Sequence, residues 1–184
     1  MAEASDLAAG KGVAPHHQIQ RFSKDGKKLR SYGSPAGDEE LRLPDTDYSV
    51  AFWFKTSAKN VRLCEAKRYS SYNNRWSDHV VQLEGGKLQF RLQDDQPIES
   101  PSPLNDGEWH QVCTTVGEGG QRLHIDGKLI GTGKLTKRTK RTKTSNRLGL
   151  DLGPGGGEGL IAMDEVRVFG RVLTDSEVAM LFTK

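Results

Sequence analysis

The sequence holds two cysteines, Cys64 and Cys113, in 184 residues. That is too few for a disulfide framework, and their spacing fits no zinc pattern. Two buried thiols are the expectation. No apolar run approaches the roughly 18 residues that a membrane-spanning helix needs, so no span is expected. The opening MAEASDLAAGKGVAPHHQ has neither a basic segment nor an apolar one and does not read as a secretory signal. The chain is therefore expected to be cytoplasmic or otherwise intracellular if Met1 is the native start, and an extracellular module with its signal removed if it is not. Helical periodicity is nearly absent as well. Only TDSEVAMLF, with Val178, Leu181 and Phe182 on one face, has it. There Thr174 is placed as N-cap, and Glu177 completes a capping box.

The motifs of several chemistries are missing too. There is no G-x-S-x-G nucleophile elbow, no H-E-x-x-H metal helix and no Walker-type phosphate loop. GPGGGEG lacks the Lys-Ser/Thr pair and the helix that such a loop requires. A catalytic role is not expected.

What is present begins with an uneven charge. The net charge is +3, yet Lys134 to Arg147 contains seven basic residues and no acidic one. Removing those seven from a net of +3 leaves −4 for the remainder. This is a mildly acidic body with one concentrated basic stretch. Charge of this kind concerns association and not fold. The length fits about one domain. Residues 1–18 read as a flexible leader, because they are Ala/Gly-rich with few large apolar residues; the adjacent His16 and His17 read as tail residues. Residues 19–184 read as a single domain.

Within that domain the period is two. DYSVAFWFKT puts Val50, Phe52 and Phe54 on one face and Ser49, Ala51, Trp53 and Lys55 on the other. NVRLCEAK, EWHQVCTTV, NRLGLDLG and LIAMDEVRVFG read as further strands. HVVQLEGGKLQFRLQ and QRLHIDGKLIGTG read as hairpins turning at Gly85-Gly86 and Asp126-Gly127, where a positive φ is cheap or favoured. Residues 19–47 suit irregular chain or short strands, and QPIESPSPLNDG a proline-bearing connection. Some eight to ten strands with regular turns and one terminal helix predict an all-β fold: a two-sheet antiparallel jelly-roll sandwich with a short C-terminal helical turn.

The order YSVAFWFKT, LCEAK, HVVQLEGGKLQFRLQ, LNDGEWHQVCTTV, QRLHIDGKLIG and LIAMDEVRVFGRVLTDSEV resembles the laminin G-like and pentraxin-like branch of the concanavalin A-like superfamily, over about residues 40–182. The resemblance implies a jelly roll with one concave and one convex sheet. It also implies glycan binding or protein contact, often with calcium at the rim. Trp53 and Trp109 read as structural aromatics, and Asp164 as a structural hydrogen-bonding residue. Glycosidases of this superfamily set carboxylates at alternate positions of one strand, so that nucleophile and acid lie about 5–5.5 Å apart. No E-x-D-x-E or E-x-D-x-x-E run occurs here. Calcium needs six to eight oxygens. Asp38, Glu39, Asp45, Asp47, Asp151, Glu158 and Asp164 are candidates scattered along the chain, and they define no set. No cofactor is assigned.

Two segments attract a binding role. RYSSYNNRWSD sets Tyr69, Tyr72, Asn74, Arg75 and Trp76 among small polar residues. Rings beside amides and a guanidinium can serve as a sugar platform or a protein hot spot, or can anchor a loop on the sandwich. KLTKRTKRTKTSNR carries Lys137, Arg138, Lys140, Arg141 and Lys143, interleaved with threonines. It suits an anionic partner, whether a polyanion or an acidic protein surface, or else a solvated loop guarding a sheet edge. It lacks the aromatics that stack bases, so sequence-specific nucleic acid is not an expected partner. The leading expectation is a non-catalytic, lectin-like module that recognises a glycan or other anionic ligand. The alternatives are an intracellular interaction or scaffold module without a sugar ligand and, last, a glycoside hydrolase of the same fold.

Overall fold

The computed structural model describes residues 19–22, 28–32, 43, 47–69, 75–93, 95–136, 148–152 and 161–183. For 19–22, 28–32, 67–69, 75–77 and 148–152 it describes the backbone. The strands run β1 (Ile19–Phe22), β2 (Lys28–Tyr32), β3 (Tyr48–Thr56), β4 (Val61–Tyr69), β5 (Arg75–Glu84), β6 (Lys87–Leu92), β7 (Ile98–Pro103), β8 (His110–Gly117), β9 (Gly120–Ile125), β10 (Lys128–Gly133), β11 (Leu148–Leu152) and β12 (Ile161–Phe169). One helix, α1, covers Asp175–Phe182. Two sheets form: β10-β9-β8-β3-β12-β1-β2 and β11-β4-β5-β6-β7. All pairings are antiparallel except β1 with β12.

The core lies between the sheets and follows the period of two. Tyr48, Val50, Phe52 and Phe54 of β3 face Val81 and Leu83 of β5 and Leu88, Phe90 and Leu92 of β6, all buried. The opposite face of the seven-stranded sheet is covered too. Ala51 and Cys113 pack with Phe169, Leu173, Val178 and Leu181, so α1 seals a second, smaller core. Trp53 stacks on Phe182 with ring centroids 5.6 Å apart. Burial on both faces explains why AFWF reads as a nearly continuous apolar run. Thr174 caps α1, and the expected capping box is present, with Glu177 closing it. The side chain of Glu177 also accepts two hydrogen bonds from Arg171, at 2.8 and 2.7 Å. Those contacts hold its carboxyl down at about 2, the Arg171 guanidinium contributing most and the Thr174 N–H next.

Both turns form as expected. Gly85, Gly86, Asp126 and Gly127 all have positive φ. In β12 the register shifts between Asp164 and Arg167, with Glu165 at φ 51. That bulge turns the face from Met163 to Val166, and both stay buried. Cys64 and Cys113 are buried thiols and lie in the two separate cores. Burial alone pushes the Cys113 thiol up to about 12.

Two expectations need correction. Residues 98–103, expected within a proline-bearing connection, form β7. Pro101 and Pro103 are tolerated because β7 is an edge strand with one paired side. The Ser100 hydroxyl accepts the Leu88 N–H at 2.9 Å, standing in for a backbone partner where the register shifts. The polar aromatic segment is also less of a loop than expected, since β4 continues to Tyr69 and β5 begins at Arg75. Pairing with β11 gives this hairpin a second backbone neighbour, which side-chain patterning does not display.

Candidate functional site at one end of the sandwich

The β4–β5 hairpin, which holds the described ends of the aromatic segment, pairs with β11, the strand that follows the basic stretch in sequence. In the β4–β5 hairpin, Tyr69 is the register partner of Arg75, and Arg68 that of Trp76. On its other side Arg68 partners Leu148, the first residue of β11. Trp76, Arg68 and Leu148 therefore lie in one row across three strands, about 10 Å wide at the usual strand spacing. Arg147, which ends the basic stretch, immediately precedes that row. Tyr72 and Asn74 lie outside the described residues, as do Lys137, Arg138, Lys140, Arg141 and Lys143, and residues 1–18.

The start of the basic stretch is held at the same end. A register row runs from Gly133 through Gln121 and Val116 to Tyr48. The Tyr48 hydroxyl then reaches the ring of His79, on β5 three residues from Trp76, at 3.1 Å. Gln121 crosses between the sheets as well, donating to Asp95 at 2.7 Å. Lys134 is exposed, and Leu135 packs against the core. The two attachment points sit on opposite sides of the five-stranded sheet, because β10 packs over β7 whereas β11 is the other edge.

His79 is fully buried and was not foreseen. The Thr114 hydroxyl donates to the Val50 carbonyl at 3.4 Å, so it accepts from Nε2–H of His79 at 3.3 Å. His79 thus bridges Tyr48 of β3 and Thr114 of β8 and ties the two sheets together.

The outer face of the five-stranded sheet carries a polar row. Gln82 donates to Gln89 at 3.3 Å, and Gln89 to Glu99 at 3.0 Å. Lys87 pairs with Glu99 at 2.9 Å and Arg62 with Glu65 at 2.8 Å. The Gln89 amide first, and Lys87 next, hold the Glu99 carboxyl below its ordinary range.

A further cluster lies at the opposite end. His110 Nδ1 meets Asp126 at 2.9 Å, and its Nε2 meets Asp106 at 3.2 Å. Asp126 also accepts the Gln111 N–H at 2.8 Å, and Asp106 accepts that of Glu108 at 2.9 Å. The Asp126 hydrogen bond is the main cause that raises the His110 pKa. The spacing D-G-E-W-H, with acid and histidine four apart, was the available signal. Its partner Asp126 is contributed by a different hairpin.

Among the described residues, no group of three or more His, Cys, Asp or Glu is placed to hold a metal ion. Asp47 precedes β3, Asp151 lies in β11 of the other sheet, and Asp164 is opposite Trp53 on β12. Asp47 and Asp164 form no such group among the described residues. Asp164 instead accepts the Glu165 N–H at 2.7 Å, the structural bond expected of it. Asp38, Glu39, Asp45 and Glu158 lie outside the described residues. Trp109 is half-buried at the start of β8.

A laminin G model, described as concanavalin A-like lectin/glucanases superfamily, matches residues 31–179. Over 138 residues, 71% of this chain, the sequence is 30% identical to laminin subunit alpha-3 of Homo sapiens and spans 4% of it. Trypanosoma rangeli sialidase in complex with sialic acid superposes with a TM-score of 0.59 at 13% identity, over 75% of this chain and 23% of that one. A mutant of HCR/D gives 0.58 at 16% identity, over 78% of this chain and 38% of that one. At such identities the solved structures show a shared fold. No described helix is long and apolar enough to cross a membrane.

Proposed function

The chain belongs to the concanavalin A-like lectin/glucanase superfamily, and from that premise we propose that it is a non-catalytic binding module for a glycan or other anionic ligand. The ligand is taken at the sandwich end bounded by the β4–β5 hairpin and the two attachments of the basic stretch. Tyr69, Tyr72, Asn74, Arg75 and Trp76 supply rings, amide and guanidinium. Lys137, Arg138, Lys140, Arg141 and Lys143 supply charge. The observation that carries the reading is the row Trp76–Arg68–Leu148, which sets the aromatic hairpin beside the chain that leaves the basic stretch.

A non-catalytic role is supported by the sheet carboxylates. A glycosidase acid needs a raised pKa. Glu99 is instead lowered by its partners, and Glu65 is buried against Arg62. Glu99 stabilises a sheet face and is not poised to give up and take back a proton.

The test is a glycan array run beside a lysate pull-down, each at low and high salt, on the native chain and on a variant with Arg138, Lys140 and Arg141 reversed to glutamate. The reading expects salt-sensitive capture of acidic glycans, lost in the variant while its melting curve is unchanged. Array silence with a salt-sensitive protein partner would replace it with the scaffold reading. Capture unaffected by the charge reversal would remove the basic stretch from the site.

A further inference from the structure

Resting on that reading, we propose that an acidic extended polypeptide docks by adding a strand to the outer edge of β10, immediately before the basic stretch. The two sheet edges on this side of the sandwich are treated unequally. β7 carries Pro101 and Pro103, which cannot donate to an added strand. β10, packed beside it, reads Lys-Leu-Ile-Gly-Thr-Gly and has no proline. It ends the seven-stranded sheet, and among the described residues no strand lies on its outer side. An edge strand presents a row of backbone groups ready to pair with another chain.

The second half of that edge is bare backbone by necessity. A Cβ at Gly131 would stand 2.8 Å from Ile98 Cγ2, and one at Gly133 would collide with the Gln121 side chain. Close packing on β7 and β9 therefore demands glycine at both positions. As a consequence Thr132 is the one side chain beside an incoming strand between Ile130 and Lys134.

Charge selects the occupant. Lys128 and Lys134, both exposed, stand at the two ends of β10. Acidic groups nearby are already engaged. Asp126 is bonded to His110 and Asp175 to His124 and Arg122. Glu118, exposed in the β8–β9 turn, opposes the field and is outnumbered by the two lysines. Between those lysines Leu129 remains 44% exposed on the flank of α1 and gives an apolar residue of the partner a contact. A second copy of this chain fits poorly, since antiparallel self-pairing would bring lysine toward lysine. The bulge between Leu129 and Gly131 confines pairing to the segment that follows it.

The probe is a fluorescein-labelled peptide of alternating Glu and Val, compared with its Lys-Val counterpart and with a sulfated polysaccharide. Backbone amide exchange is read in the full chain. The acidic peptide is expected to bind and to slow exchange in Ile130–Gly133, and the Lys-Val peptide to do neither. Combining Lys128→Glu with Lys134→Glu should weaken the acidic peptide by about tenfold or more, as for paired charges at an interface. Thr132→Pro should abolish the peptide's effect on β10 amides while polysaccharide binding persists. Peptide binding with no protection of β10, or polysaccharide binding without peptide binding, overturns the strand-addition proposal and leaves the anionic-ligand reading standing. Binding of neither polyanion overturns both.

Discussion

Raising the pH through neutrality should weaken this fold, and the His110 cluster sets the size of the effect. With the imidazolium charged, each ring nitrogen donates to a carboxylate, Asp126 on one side and Asp106 on the other. Neutral imidazole keeps one proton. Asp126 is nearer and less exposed, so it retains Nδ1–H, and Nε2 turns a lone pair toward Asp106. The Asp126 bond falls from charge-assisted to ordinary, a loss of about 1 kcal/mol. The Asp106 arm, more than half exposed, adds at most about 0.5 kcal/mol. The folded His110 pKa is raised, so this stabilisation is complete below about 6.5, the unfolded value, and is lost as pH rises through the folded value. Asp106 is shifted the other way, chiefly by the Glu108 N–H. Its share is present above the unfolded value and is lost as pH falls through the folded one. Urea unfolding followed by tryptophan fluorescence between about pH 5 and 9 measures the effect. The wild-type minus His110→Gln difference in unfolding free energy should shrink by about 1–1.5 kcal/mol across that range. A difference that stays flat would show that the bridge contributes no charge-dependent stability.

Other perturbations probe other parts of the frame. Thr174→Ala removes the cap of α1 and should cost about 1 kcal/mol, read as a lower urea midpoint. Glu177→Gln should flatten the acid limb of stability, because Glu177 contributes above its unfolded pKa and that share is lost as pH falls toward about 2. Gly120 has φ 87 and faces the Gly133 carbonyl, so Gly120→Ala should destabilise by more than the roughly 1 kcal/mol of backbone strain alone. Cys113, with its thiol at about 12 and buried, should react with a thiol reagent only at the rate of opening, and labelling at the rate of a free thiol would contradict its place beneath α1.

The architecture was legible because burial and period coincide. In β3 the alternation assigned from side chains alone is the alternation of core and outer face, and the unmatched Trp53 is explained by Phe182 across from it. Capping chemistry located α1 for the same reason, since Thr174 and Glu177 satisfy backbone groups three positions apart. Where pairing replaces side-chain burial, patterning failed. β7 is held by backbone bonds on one side and a serine hydroxyl, so its prolines read as loop. The end of the β4–β5 hairpin is polar and is held as a strand by β11, a partner some 80 residues further on. The proposed site was legible as two separate segments. The row that sets Arg68 between Trp76 and Leu148 depends on the register of β11 against β4, and no local spacing carries that. His79 was missed likewise, because Tyr48 and Thr114 come from strands distant in sequence, and His110 because Asp126 comes from another hairpin.

The covered surfaces also bear on where a partner can act. One face of the seven-stranded sheet belongs to the core, and over β3 and β8 the other lies beneath α1. On the outer face of the five-stranded sheet, Arg62 and Lys87 are paired with Glu65 and Glu99, so a ligand there would have to compete with bonds already made. A cation held by a carboxylate offers a new anion little, because the old partner must first be displaced and resolvated. Lys128 and Lys134 border a strand that, among the described residues, ends its sheet. On the proposed reading, anion recognition at that edge and in the stretch that follows it can therefore be strengthened or reversed by substitution without disturbing the described ion pairs of the body. Charge reversal at Lys87 should consequently lower stability with little effect on binding, and reversal at Lys134 should do the opposite; a Lys134 variant that melts early yet binds normally would refute this separation.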